Sequence, residues 1–190
     1  MKILGIPGSL RRASINRALL VSARALAPAG VELVIDDLRP IPMYDPDLDD
    51  PAALAPVEAF KQRIAEADAL LIATPEYNYG IPGVLKNAID WASRPAYRSV
   101  FAGKPCAIVS ASPSLMGGVR AQGQLKQVLL GMAAEVFPHP EFAVTQAGHK
   151  LHDGELGDEP TREHLAALLV ALRAWVQRRQ AGPSQSEPGL

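Results

Sequence analysis

The chain has 190 residues, 48% of them hydrophobic, and a formal net charge of −1. That length allows one domain with a large core, and the balanced charge gives no broad basic face for nucleic acid. No apolar run reaches transmembrane length, and the single cysteine, Cys106, excludes an internal disulfide.

The chain opens on Lys2-Ile3-Leu4-Gly5-Ile6, a short apolar run broken by glycine. It predicts a strand rather than a signal peptide, and a cytoplasmic protein is expected. Gly8-Ser9-Leu10-Arg11-Arg12-Ala13-Ser14-Ile15-Asn16 follows, and then Leu19, Leu20, Ala23 and Leu26 at helical spacing. The stretch therefore joins a first strand to a first helix. Gly8 allows the backbone to turn. Ser9, Ser14 and Asn16 offer small polar side chains, and Arg11 and Arg12 offer charge. Outward N–H groups and the helix dipole at such a junction suit a phosphate. Ser14 can equally serve as a helix cap, with the arginines solvated. The stretch lacks both the Gly-Lys-Ser/Thr ending of a triphosphate loop and the three-glycine dinucleotide fingerprint, so a monophosphate fits better.

Val31–Ile35 predicts a second strand, and the proline-rich segment from Pro40 to Pro51 a long connection. Its aspartates lack the spacing and distal glutamate of a calcium loop, so a solvated surface is expected. Leu54, Val57, Phe60 and Ile64 form the stripe of a second helix, and Asp68–Thr74 is a third, almost wholly apolar strand. Such strands belong in the middle of a parallel sheet.

At that strand's end stand Pro75, Glu76, Tyr77, Asn78, Tyr79 and Gly80, then Pro82 and a helix carrying Lys86, Asp90 and Trp91. Ligands of open α/β sheets bind just beyond the strand ends, although a rigid turn with surface tyrosines has the same pattern. Lys86 and Asp90 are spaced to pair on the helix surface. Cys106–Ala111 is a fourth strand, with Cys106 a small core residue, and it opens onto Ser112-Pro113-Ser114-Leu115-Met116-Gly117-Gly118. Those glycines let a flat ligand approach the backbone.

A helix with Leu125, Val128, Leu129 and Met132 comes next, then a short fifth strand at Glu135–Phe137 that can extend near Phe142–Val144. The last helix runs from about Thr161 to Gln180. Residues 1–180 thus form one domain, and the Pro/Ser/Gln/Gly-rich tail at 181–190 is expected to be disordered. His149 and His152 do not make a metal site, since zinc wants more ligands on firmer elements. No nucleophile elbow is present.

Five strands alternating with five helices predict an α/β flavodoxin-like three-layer sandwich, its parallel sheet ordered 2-1-3-4-5. The crevice then lies where the loops after strands one and three diverge. A phosphate end and a flat, hydrogen-bonding end together describe FMN.

The two motifs, Gly8-Ser9-Leu10-Arg11 with Ser14 and Asn16, and Pro75-Glu76-Tyr77-Asn78 with Gly80, Pro82 and Leu85 to Trp91, carry a resemblance. The sequence resembles the NADPH-dependent FMN reductase family, near its chromate, quinone and azo-dye reductase branch. The resemblance implies that Ser9, Arg11, Ser14 and Asn16, in a stretch with Gly8 and Leu10, hold the FMN phosphate. Pro75, Glu76, Tyr77, Asn78 and Gly80 would border the flavin ring, and Ser112, Gly117 and Gly118 its far edge. It implies NADPH or NADH as reductant and a homodimer or homotetramer, with contacts around Asn87–Trp91 and near Arg120 and Glu141. The implied reaction is a ping-pong hydride transfer through FMN to a quinone, azo, metal-oxyanion or flavin acceptor, with no catalytic side chain and no metal. A flavodoxin-type electron carrier and an FMN-binding redox sensor share the fold.

Overall fold

Strand and helix alternate along the chain as the apolar pattern predicts. The computed structural model describes residues 1–96, 98–152 and 154–181; the tail beyond Ala181 lies outside the described residues. The elements are β1 (Lys2–Pro7), α1 (Ile15–Ala25), β2 (Glu32–Ile35), α2 (Pro51–Glu66), β3 (Ala69–Ala73), α3 (Gly83–Ala92), β4 (Pro105–Ala111) and α4 (Val119–Leu130). After them come β5 (Glu135–Val136), β6 (Phe142–Val144), β7 (Leu151–His152), β8 (Glu155–Leu156) and α5 (Glu159–Gln180).

The main sheet is parallel throughout and runs β2-β1-β3-β4-β5, with β6 also paired to β4. This is the flavodoxin-like order expected. Side chains of successive strand residues point to opposite faces, so the sheet divides the core in two. Leu4, Ile6, Leu70 and Ile72 pack with Phe60 and Leu125 under α2, α3 and α4. Ile3, Leu71 and Val109 pack with Leu19, Leu168 and Leu172 under α1 and α5. Among the described residues no helix is long and apolar enough to cross a membrane.

The fifth sheet position is filled by two segments. β5 pairs Glu135 and Val136 with Pro105 and Cys106, and β6 pairs Phe142 to Val144 with Val109 to Ala111. Pro138 and Pro140 lie between them. Proline has no N–H for the ladder, so pairing breaks there and resumes further along β4. The antiparallel β7–β8 hairpin was not legible in the sequence. It is held to α1 by the buried bond from Leu156 N–H to Ser22 Oγ, 2.8 Å.

Cys106 is fully buried, and burial pushes its thiol up to about 12. The thiolate is the nucleophile, so the folded protein should resist alkylation. Mass spectrometry after iodoacetamide treatment at pH 8 should find no adduct on native protein and complete labelling in denaturant. Rapid native labelling would contradict the burial.

Candidate functional site

The loops after β1, β3 and β4 meet at one edge of the sheet, because all three parallel strands end there. The first begins at Gly8, whose N–H donates to Ala73 O at 2.8 Å and so extends the β1–β3 ladder. A Cβ at Gly8 would stand 3.2 Å from each of Ala73 O, Leu85 Cδ2 and Pro75 Cδ. Glycine lets the first two loops pack directly together. Ser14 caps α1, its Oγ accepting from Arg17 N–H at 3.2 Å. Capping uses a lone pair and leaves the hydroxyl proton to donate, so the cap and anion readings are compatible. Ser9 Oγ accepts from Arg11 N–H and shares a hydrogen bond with Tyr77 OH at 3.2 Å. Among the described residues no carboxylate pairs with Arg11.

Asn16 is used inside the protein. Its amide donates to Ala111 O and accepts from Ala111 N–H, both at 2.9 Å, and the residue is buried. These bonds fasten the first turn of α1 to the end of β4. Leu10 is half exposed, and its carbonyl accepts from Arg39 Nη2 at 2.7 Å.

The second loop folds on itself. Tyr77 and Gly80 exchange both backbone hydrogen bonds, at 3.0 and 3.1 Å, around Asn78 (φ +49°) and Tyr79 (φ +67°). Two consecutive left-handed residues define a type I′ turn, for which Asn-Gly is the usual pair. Asn78 suits its position, but Tyr79 is strained there. Its exposed ring lies 4.5 Å from the Arg120 guanidinium carbon. At Gly80 a Cβ would stand 2.7 Å from Gln124 Oε1, the acceptor for Ile81 N–H.

Glu76 joins the second loop to the third. Its carboxylate accepts from Arg120 N–H at 3.0 Å and Ala121 N–H at 3.4 Å, and pairs with Arg120 Nη1 at 3.1 Å. It thus supplies the cap that Gly118, at the N-terminus of α4, cannot. Gly117 and Gly118 have φ of +61° and +94°. A Cβ on them would come to 3.0 Å from Ala143 Cβ and Ser110 Cβ respectively.

Ser9, Arg11, Ser14, Asn16, Pro75, Glu76, Tyr77 and Ser112 line one cleft of about 110 Å³. Gly8 packs against Pro75 of the lining, the Leu10 carbonyl is bound by Arg39, Asn78 and Gly80 belong to the turn after β3, and Gly117 and Gly118 precede α4. The structure adds Ile15, Ala111 and Pro113 to the lining. Arg39 is a further residue that local pattern could not reveal, since its partner Leu10 is distant in sequence. A larger depression of about 370 Å³ lies beyond Ser14, against Arg12, Val21 and Leu151. It does not reach the loops after β3 and β4, so it is not where the three loops act together.

The model of the NADPH-dependent FMN reductase family matches residues 1–149. The chain belongs to that family. It is 44% identical over 179 residues to an NAD(P)H-dependent FMN reductase of Pseudomonas aeruginosa, covering 94% of this chain and 96% of that one. It is 38% identical over 182 residues to a quinone reductase of Escherichia coli K12, covering 94% and 96%. Among solved structures it resembles FerB, a flavoenzyme NAD(P)H:(acceptor) oxidoreductase from Paracoccus denitrificans. There the TM-score is 0.82 and the identity 35%, over 93% of this chain and 97% of that one.

As a member of the NADPH-dependent FMN reductase family the chain is an oxidoreductase, with FMN and a nicotinamide nucleotide as cofactor and substrate. The family resemblance also pointed to contacts around Asn87–Trp91. In the protomer Asn87 Nδ2 and Trp91 Nε1 both donate to Pro42 O, at 2.8 and 2.9 Å, clamping the loop after β2. Arg120 pairs with Glu76, and Glu141 with Lys126. Lys86 and Asp90 form the expected surface pair at 2.7 Å.

Proposed function

We propose that the cleft holds FMN by its phosphate, against the Ser9 and Ser14 hydroxyls, Arg11 and the first N–H groups of α1. The observation that carries this is the convergence at a helix start of two hydroxyls and the Arg11 guanidinium, which no carboxylate among the described residues pairs, beside two loops shaped by left-handed backbone. About 110 Å³ suits a phosphate and the start of a sugar chain. The ring would lie outside it, bordered by Pro75, Glu76, Tyr77, Asn78 and Gly80, with Ser112, Gly117 and Gly118 at its far edge. Asn16 contributes through its backbone and by fastening α1 to β4.

When held there, FMN would supply the hydride chemistry that links NADPH or NADH to a second substrate in a ping-pong reaction. The protein binds and orients. Glu76 sets the separation of the two ring-side loops, and the Tyr77 hydroxyl spans the cleft mouth to Ser9. No side chain need transfer a proton in the first half-reaction. A quinone is the acceptor we place first, because relatives bear the name quinone reductase; azo compounds, metal oxyanions and free flavin are the others. A cytoplasmic homodimer or homotetramer completes the proposal. Exposed Tyr79, Leu115 and Met116 around the loops favour a covered surface.

An electron carrier is the second reading. Such carriers dock by strong charge, and a net charge of −1 argues against it. The test is steady-state NADPH and NADH oxidation by the FMN-loaded protein with benzoquinone. Multiple turnovers are expected; a carrier would show almost none without a separate reductase. Protein that stays colourless after FMN is added and the excess removed would overturn both readings.

A further inference from the structure

Gln122, on α4, lies outside the cleft lining and belongs to neither motif. It is 1% exposed. Its amide nitrogen donates to Ser110 Oγ at 2.7 Å and to Phe142 O at 2.9 Å. The Ser110 hydroxyl in turn donates to Gly117 O at 2.6 Å. A backbone carbonyl such as Phe142 O can only accept, so the nitrogen must face it and the orientation of the amide is decided. The amide oxygen then has no partner among the described residues. An apolar side chain would carry no such unpaired oxygen of its own. What Gln122 adds is two donated hydrogen bonds, one of which occupies a lone pair of Ser110 and directs its proton to Gly117. Hydrogen bonds in such a chain strengthen one another. Ser110 thus reaches both glycines: its hydroxyl holds Gly117 O, and a Cβ on Gly118 would stand only 3.0 Å from Ser110 Cβ, so a displacement of Ser110 is felt at both.

We infer that Gln122 is a positioning residue. Through Ser110 it sets where the Gly117–Gly118 backbone stands at the edge of the flavin site. The inference rests on the FMN reading for its consequence, but not for its structural step.

Hydrogen exchange of peptides spanning 112–120 tests that step in the full-length, FMN-free protein. Gln122→Met and Ser110→Ala should each speed exchange about tenfold, and the double variant should be no faster than either single one, because all three break one relay. Unchanged exchange, or effects that multiply, would overturn the inference. If Gln122→Met does not fold, Ser110→Ala alone decides by the same measurement. With FMN added, Gln122→Met should shift the flavin absorption bands and midpoint potential. Its FMN affinity should stay within about threefold, since the phosphate cradle is untouched. An affinity loss without a spectral or potential shift would overturn the positioning role. A wild-type protein that fails to bind FMN would remove the functional reading, while the exchange result would still judge the relay.

Discussion

Replacing Arg11 by alanine should weaken FMN binding by about 10- to 150-fold and leave riboflavin binding almost unchanged. The range is the roughly 1.5–3 kcal/mol of one hydrogen bond to a charged group. Arg11 suits this role because it stands on the cleft and no carboxylate among the described residues neutralises it. Riboflavin lacks the phosphate, so it lacks the contact. Fluorescence titration of both ligands at two salt concentrations is the measurement. Salt should weaken FMN binding to the wild type more than to the variant, because exposed charges are screened. Arg12→Ala is the internal control: Arg12 lines the larger depression rather than the cleft. Equal losses for FMN and riboflavin would contradict the phosphate assignment.

Asn16→Leu should be the most destabilising substitution at the site. It removes two hydrogen bonds and leaves Ala111 N–H and C=O buried without their partner. Stranding two buried backbone groups costs about 2–4 kcal/mol. For a chain of this size that lowers Tm by roughly 5–15 °C, readable by calorimetry on FMN-free protein. Asn16→Asp separates the two bonds. It keeps the acceptor for Ala111 N–H but sets a carboxylate against Ala111 O. Burial and that carbonyl both disfavour the charged form, so the carboxyl's folded pKa rises above the unfolded value of about 3.9. The penalty is therefore absent below about pH 4 and grows as pH rises through the folded pKa. A Tm loss under about 2 °C for Asn16→Leu, equivalent to at most about 0.5–1 kcal/mol, would mean that Ala111 finds other partners.

The order and type of the main-sheet elements through β5 were legible, because apolar periodicity is a local property of the chain. The runs Ile3–Ile6 and Leu70–Ala73 alternate between two buried faces, as their composition requires. The three loops were legible as well, since small, polar and glycine residues cluster at strand ends. The split of the fifth strand was half visible: both segments were in the sequence, but the reason they stay apart is Pro138 and Pro140 lying against a continuous β4. The β7–β8 hairpin was not visible, because its two-residue strands carry no periodic signal and are held by a buried bond to Ser22, 134 residues away.

The site divides in the same way. Local order along the chain puts hydroxyls and arginines after β1, tyrosine and asparagine after β3, and serines and glycines after β4. What each of them does depends on contacts between distant segments. Asn16 looks like a phosphate ligand beside Ser14, yet its amide is spent on Ala111, 95 residues away. Glu76 looks like one more polar loop residue, yet it caps a helix 44 positions on. Gln122 has no local mark at all. A buried amide or carboxylate must be satisfied by whatever the fold brings within about 3 Å, and the parallel crossovers bring together groups that are far apart in the chain.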